Sequence, residues 1–512
     1  MLNVASSGRR LTVLMTCTAV LLLPVSFNAA TAAPPLVEAV KSGDAAAIRK
    51  LVKERANVNA AEVDGTTPLH WAARVNDIAA AELLVRSGAT VTASNRYAVT
   101  PLSLACMNGN AGMIGLLLKA GADANTALPG GETVLMTTAR TGSVESVKLL
   151  LEHGADVNAK EAGRGQTALM WATSEGHTEV VRLLLKSGAD VKARSAGGFS
   201  PFLFAVRDGR LEITKMLLAA GADINDAVPT DTRPRPAGTG SGRPTGLNAF
   251  LLAVANAHYE LALTLVDGGA DPNMAPQGWT ALHQITAVRK VGLYGSNDPA
   301  PEGSGRIDSL EFVRQLVARG ADVNAKATRR PPLGTTGLNT TGATPFLLAA
   351  RTADAALMRE LAKLGADPLI PNADNTTPLM VAAGVGTNSP PEDPGTEAEV
   401  VEAIKVALEL GNDINAVDKN NETVMHGAAY KQIPAAVRLL AERGAKVETW
   451  NHKNRKGWTP LKITQGVHRG MNIQKSPATE AAVRDVMVAA GVEPVVPPDS
   501  STEPADGKPY AP

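Results

Sequence analysis

Aromatic residues are scarce: five Trp, five Tyr and seven Phe make up 3% of the 512 residues. That excludes binding surfaces that stack bases or sugars on rows of rings. Cysteine is scarcer still, with only Cys17 and Cys106, so no disulfide framework organises the fold. Neither sign of charge dominates, since 50 Lys plus Arg face 50 Asp plus Glu. A globally basic nucleic-acid or membrane-surface binder is thereby excluded, while local patches stay open. After residue 32 no apolar run approaches the length of a membrane span. What remains is 44% hydrophobic and 20% charged, the balance of a folded soluble chain. The length suits about three ordinary domains of roughly 100–200 residues, or one elongated array.

The first segment reads as an address rather than as fold. Arg9 and Arg10 precede an apolar stretch over 11–23, and Ala30, Thr31 and Ala32 offer small residues at a cleavage spacing. This order is that of a secretory signal peptide over 1–32. The competing reading is an uncleaved anchor, for which the apolar stretch is short. Cys17 lies inside the stretch rather than just after it, which argues against lipid attachment. Cutting after Ala32 removes two Arg and no acid, leaving 48 basic against 50 acidic residues, a charge of −2. Cys106 is then the single thiol. The expected location is exported, periplasmic or extracellular.

A period near 33 organises most of the chain beyond residue 33. Gly-Ala-Asp recurs at Gly121, Gly154, Gly188, Gly221, Gly269, Gly320 and Gly365, and the first four stand 33, 34 and 33 apart. A second marker, Thr-Pro-Leu or a variant, recurs from Thr67 and Thr100 through Thr167 and Ser200 to Thr377 and Thr459. One unit, 165–198, shows the physics. Thr167 stands at a helix entrance, where its hydroxyl can serve orphan N–H groups. Residues 168–174 form a short apolar helix, broken at Glu175-Gly176-His177. Residues 178–187 form a second helix, with Val180, Val181, Leu183, Leu184 and Leu185 as a broad apolar face. Gly188 ends it in a left-handed cap. Two such helices cannot bury their faces alone, but stacked copies can.

Thr67-Pro68-Leu69-His70 with Trp71-Ala72-Ala73, Gly176-His177-Thr178-Glu179-Val180-Val181, and Gly154-Ala155-Asp156-Val157-Asn158-Ala159 resemble the ankyrin repeat family. The resemblance implies an all-α solenoid of about eleven stacked helix-turn-helix units, with hairpin-like fingers projecting on a concave side. The expected organisation is a signal peptide over 1–32, an N-terminal capping repeat over 33–64 and regular repeats over 65–229. An inserted loop over 230–245 leads to repeats with insertions over 246–456. A C-terminal capping repeat over 457–496 and a disordered Pro-rich tail over 497–512 complete the chain.

Departures from the period individualise this chain. From Gly65 to Gly457 the equivalent positions span 392 residues where ten steps of 33 need 330, so about 62 are inserted. The insertions at 230–245 and 327–341 are expected between units, on the finger side. Those at 291–307, 386–396 and 468–478 are expected between the helices of one unit, on the opposite rim. All are rich in Gly, Pro and polar residues and read as loops, and in solenoids such loops often border the binding face.

No sequence signature of an enzyme is present: no His-Glu-x-x-His, no Gly-x-Ser-x-Gly, no phosphate loop and no paired-Cys spacing. Gly238 to Gly242 are Gly-rich, but no strand precedes them and no Lys-Ser or Lys-Thr follows. His70, His283 and His426 recur at one repeat position, which points to backbone hydrogen bonding that ties units together. Cys106 takes a small core position, against the alternative of a reactive thiol. No cofactor, metal or catalytic residue is expected.

Candidate partner contacts come from repeat position. Trp71 and Trp171 sit in first helices and are expected between units in the core. Trp279 and Trp458, with Phe199, follow the Gly that opens a unit; they either pack on the next finger or anchor a partner. The resemblance implies that the residue after each Ala-Ala-type pair varies and contacts partners. Here it is Arg74, Met107, Arg140, Ser174, Arg207, Ala255, Ala287, Arg351, Gly384 and Tyr430. The four Arg are either solvated helix ends or a row that grips an acidic partner. Finger loops add Tyr97 and a set of Arg: Arg233, Arg235, Arg243, Arg329 and Arg330. The expected contact set is Arg74, Tyr97, Met107, Arg140, Arg207, Trp279, Arg351, Tyr430 and Trp458.

The function expected is an exported, non-catalytic interaction scaffold. Its partner would be a protein with an acidic surface, with no nucleic acid and no membrane involved after signal cleavage. A secreted effector that binds host proteins is one alternative. The other is an enzyme whose site lies on the loop around 291–307, where Asp298, Glu302 and Asp308 lack a group to shift their protonation.

Overall fold

The computed structural model describes residues 33–228, 246–290, 301–331, 336–390, 393–469 and 472–495. The expected signal peptide, the 230–245 loop with Arg233, Arg235 and Arg243, Asp298, and the 497–512 tail lie outside the described residues.

Among the described residues twelve short helix pairs run in chain order, from Pro35–Lys41 with Ala45–Lys53 to Pro460–Gln465 with Pro477–Ala489. First helices stack on first helices and second on second, giving two parallel layers. The fold is an all-α ankyrin solenoid. In the unit over 165–198, the helices are Ala168–Glu175 and Thr178–Lys186. The Thr167 hydroxyl accepts from the Met170 N–H at 3.4 Å, and Gly176 ends the first helix at φ 86°. Val180, Val181 and Leu184 are buried between the layers. Each such side chain contributes about 1.5–3 kcal/mol by leaving water, and it can leave water only because a neighbouring unit covers it.

Three repeated polar devices hold the stack together. The first uses His70 and His283. His70 Nδ1 accepts from the Thr67 N–H at 3.1 Å, which leaves Nε2 to donate to the Val99 carbonyl of the next unit at 3.0 Å. His283 repeats this with Thr280 and with Ala343, sixty residues further on. The second uses Asn in the finger. Asn158 donates to the Gly188 carbonyl at 3.1 Å and accepts from the Asp190 N–H at 2.8 Å. Asn59, Asn125, Asn273, Asn324 and Asn415 clamp their following units in the same way. The third lies over a glycine. His177 Nε2 meets the Arg140 carbonyl at 2.8 Å, and its ring lies 2.7 Å from where a Cβ on Gly142 would stand. Gly142 has φ 78°, so both the turn and the close approach require glycine.

Two expectations about the insertions are corrected. The segments at 327–341 and 386–396 were expected on opposite rims, but they meet. The Gly337 N–H donates to the Gly386 carbonyl at 2.9 Å, and Thr336 pairs with Thr387 as an isolated antiparallel bridge. Leu338 packs with Ala287, Leu347, Leu348 and Val381 in a small apolar cluster. The first insertion therefore crosses the first-helix layer, because Leu338 finds apolar cover there. The 468–478 loop is in fact a short antiparallel hairpin, Val467–Arg469 with Asn472–Gln474.

Candidate partner-binding face

The residues that end the first helices form one series, and their burial changes along it. Arg74, Met107 and Arg140 are exposed, Met107 at 58%. Ser174, Arg207 and Ala255 are half-buried. Ala287, Arg351, Gly384 and Tyr430 are buried, with Arg351 and Tyr430 each 3% exposed. The face is open in the first half of the described chain and covered by the chain's own insertions in the second.

The open half carries cations over rings. The Arg74 guanidinium lies 5.1 Å from the Trp71 ring centroid, and Lys41 covers the same ring at 4.6 Å. Arg140 lies 5.0 Å from Trp171, and Arg207 lies 4.8 Å from Phe204 and 5.8 Å from Phe199. In the finger, Arg96 sits 4.8 Å over Tyr97, which is 55% exposed. Each ring draws the cation by its quadrupole and holds a long side chain in one place. Trp71 and Trp171 are therefore half-buried contributors to this face, not the wholly buried core residues expected from their helices. Trp450, in the short finger helix Val447–Trp450, is the tryptophan that is buried, at 2%.

The arginines do not form an unpaired cationic row. Arg207 donates to both oxygens of Asp208 at 2.7 and 2.8 Å. Arg140 lies 3.9 Å from Glu132 Oε1. Glu62 accepts from Lys41 and from Trp71 Nε1, both at 2.6 Å. The charge pattern is alternating, and an acidic ligand group would compete with these carboxylates for the arginines.

In the covered half, Arg351 and Tyr430 do not reach a surface, which corrects their place in the contact set. Arg351 Nη2 donates to Asp393 Oδ1 at 2.7 Å, and Lys431 Nζ donates to the Pro394 carbonyl at 2.7 Å. Burial lowers the Lys431 pKa to about 8 although Asp393 opposes the shift. Tyr430 donates to Glu422 Oε1 at 2.9 Å and accepts from Asn454 at 2.8 Å. Trp458 is half-buried against Ala429, Tyr430, Ile463 and Val467, with Lys456 5.2 Å above its ring. Trp279 is half-buried and donates to Gln284 Oε1 at 3.1 Å.

The loop considered for catalysis supplies structural groups. Asp308 accepts from the Leu310 and Glu311 N–H groups at 2.9 and 2.8 Å and so caps helix Ser309–Ala318. Glu302 is exposed. Burial pushes the Cys106 thiol up to about 12, so it stays protonated. Among the described residues no group of three His, Cys, Asp or Glu is placed to hold a metal, and no helix is long and apolar enough to cross a membrane.

Residues 15–95, 93–161 and 159–227 each match the family model for ankyrin repeats in three copies. The chain is also similar to the E3 ubiquitin-protein ligase KEG of Arabidopsis thaliana, 27% identical over 237 residues. That alignment covers 40% of this chain and 13% of the relative's length. Ankyrin repeats are thus present in this part of the chain. The matched span ends at residue 227, where the regular period ends, and the covered positions begin later, at Ala287.

Proposed function

We propose that this chain is an exported, non-catalytic scaffold that binds a protein partner through the open half of its first-helix face. The partner would present carboxylates to Arg74, Arg140 and Arg207, and apolar groups to Met107, Tyr97 and the half-buried rings. One observation carries the reading: the exposed Arg74 and Arg140 and the half-buried Arg207 stand over aromatic rings at one repeat position, and the equivalent positions later in the chain are sealed. Arg suits this role because its planar fork grips a carboxylate with two hydrogen bonds while its face stacks on a ring. Export rests on Arg9, Arg10, the apolar stretch and Ala30-Thr31-Ala32.

The test begins with capture of a partner by the chain beginning at Ala33, followed by changing Arg74, Arg140 and Arg207 together to Ala. The expected loss of affinity is at least about tenfold, and wild-type binding should weaken with added salt. A triple variant that binds like the wild type places the interface elsewhere. For export, N-terminal sequencing is expected to find a chain beginning near Ala33; intact protein starting at Met1 in the cytoplasm rejects it.

A further inference from the structure

The two insertions that cover the second half also enclose a cavity of about 630 Å3 against three fingers. Its lining includes Glu422, Tyr430, Asp418 and Asp374 from the repeats, and Asn339 and Asn388 from the insertions. The volume falls within the roughly 300–1,000 Å3 typical of small-molecule sites.

Glu422 is the unusual group in this lining. It is 8% exposed, and its Oε1 is saturated by Tyr430 at 2.9 Å and Asn454 at 2.9 Å. Its Oε2 is buried and has no hydrogen-bond partner. Buried polar atoms are nearly always paired, so an orphan carboxylate oxygen beside a cavity marks a missing donor. The repeat position supports this. Glu132 occupies the equivalent place earlier in the chain, and there the first helix ends in Arg140, 3.9 Å away. In the Glu422 unit the same helix position is Tyr430, a neutral phenol. The other two acids add negative potential but have their oxygens engaged. Asp418 accepts from Asn420, Glu422 and Thr376 at 2.8 to 2.9 Å. Asp374 accepts from Asn339 at 3.1 Å and from Asn420 at 3.4 Å. Arg455 and Lys456 also line the cavity, from the exposed finger tip.

The geometry points to a binding site in this cavity for a small organic cation, one primary ammonium on a short apolar body, held by the carboxylate of Glu422, whose Oε2 is closed to water and turns towards the cavity to meet it. The ammonium supplies the donor that Oε2 lacks, because Tyr430, at the repeat position of Arg140, donates to Oε1 alone. The apolar body lies along Leu338 and Val385, which also line the cavity. Because Arg455 and Lys456 offset two of the three acids, the site takes one positive charge rather than several.

Protonation of Glu422 couples to occupancy. Burial, and secondarily Asp418, push its carboxyl up to about 7, against the opposing effects of Tyr430, Asn454 and Lys456. An ammonium binds the ionised form, so affinity should rise as pH passes through about 7, with release of a proton.

The test titrates the full chain with methyl-, butyl- and hexylammonium, and with 1-butanol as the uncharged control, by calorimetry in two buffers of different ionisation enthalpy. One ammonium per chain is expected, at micromolar to millimolar affinity, tighter at about pH 8 than at pH 6. Butanol should not bind. Glu422→Gln should weaken binding about tenfold or more and abolish its pH dependence. Should that variant fail to fold, Asn339→Trp provides the check, because exposed Asn339 lines the cavity and a larger side chain there should block it. The site is overturned if no alkylammonium binds at millimolar concentration, if folded Glu422→Gln binds like the wild type, or, where that variant does not fold, if Asn339→Trp binds like the wild type.

Discussion

Arg351 donates from Nη2 to Asp393 Oδ1 at 2.7 Å across 42 residues of chain, and both side chains are almost wholly out of water. The pair joins the end of helix Pro345–Arg351 to the insertion that precedes helix Glu397–Glu409. Lys431 stands 3.6 Å from the other oxygen of the same carboxylate. Removing Arg351 takes a charge-assisted hydrogen bond from Asp393 and leaves Lys431, 3.6 Å away, as its buried cation, so Arg351→Ala should cost about 1.5–3 kcal/mol. Arg74 occupies the equivalent position on the open face, and Arg74→Ala should change stability by no more than about 0.5 kcal/mol. Denaturant unfolding of the two variants checks this, and equal losses would contradict the covered and open halves.

Acid should unfold the stack through its buried histidines. Burial lowers the pKa of His283 to about 4 and that of His426 to about 3, from an ordinary 6.5, and it lowers that of His70 as well. A depressed folded pKa means that the contribution is fully present above the unfolded value. It is lost as pH falls from about 6.5 towards the folded values. Each of the two strongest shifts is worth about 3–5 kcal/mol when complete. The melting temperature should therefore fall between pH 6.5 and 4, before most carboxylates titrate. His283→Gln, neutral throughout, should show a smaller fall over the same interval even if it starts lower. An identical pH slope in the variant would remove His283 from the account.

The tryptophans give an ordering that differs from the one expected of first-helix residues. Trp450 is 2% exposed and donates to the Ala445 carbonyl at 3.4 Å, so Trp450→Ala should cost about 3–5 kcal/mol. Trp171 is half-buried, and its Nε1 is buried without a partner. Trp171→Ala should cost clearly less, and Trp171→Phe should come close to neutral, because it removes an unpaired donor worth about 1–3 kcal/mol of desolvation. Urea midpoints of the three variants give the order.

Much of the architecture was legible because it is repeated. Glycines near every 33rd residue and Thr-Pro-Leu at fixed offsets mark helix ends, and the shared position of His70, His283 and His426 already implied a link between units. The Asn clamp was visible in Gly154 to Ala159, but its role was not, since Asn158 bonds to a unit 30 residues away. The covered half was illegible for a different reason. Arg351 and Tyr430 match Arg74 in repeat position, and nothing local distinguishes them. What buries Arg351 is Thr336 and Asp393, which arrive on insertions that follow no period, and what buries Tyr430 is Ile463, Val467 and Trp458 of the irregular last unit. Trp450 lies in a finger whose helical turn departs from the repeat, so its burial had no pattern to announce it.

The joint between the matched repeats and the rest should be the weakest in the array. Five of the devices that clamp one unit to the next use a finger Asn beyond Asn59, and Asn225 stands in that position before the joint. Yet Asn225 makes no clamp to the following unit among the described residues, and its side chain is exposed. The second helices on either side, Leu211–Ala219 and Tyr259–Asp267, pack least closely of all adjoining second helices. The first-helix layer still crosses the joint. His258 Nε2 bonds to the Arg207 carbonyl at 2.9 Å, and the Val228 N–H bonds to the Leu247 carbonyl at 2.9 Å. In a one-dimensional array the nearest-neighbour term sets cooperativity, so a joint held in one layer should uncouple first. Urea unfolding of the full chain should show two transitions. Fragments 33–228 and 246–495 should each keep helical circular dichroism, with midpoints below those of the matching transitions because each has lost one covered end. His258→Ala should separate the two transitions further by removing a link between the halves. A single transition for the full chain, with both fragments unfolded, would mean that the two halves stabilise each other as strongly across residue 228 as any other pair of neighbours.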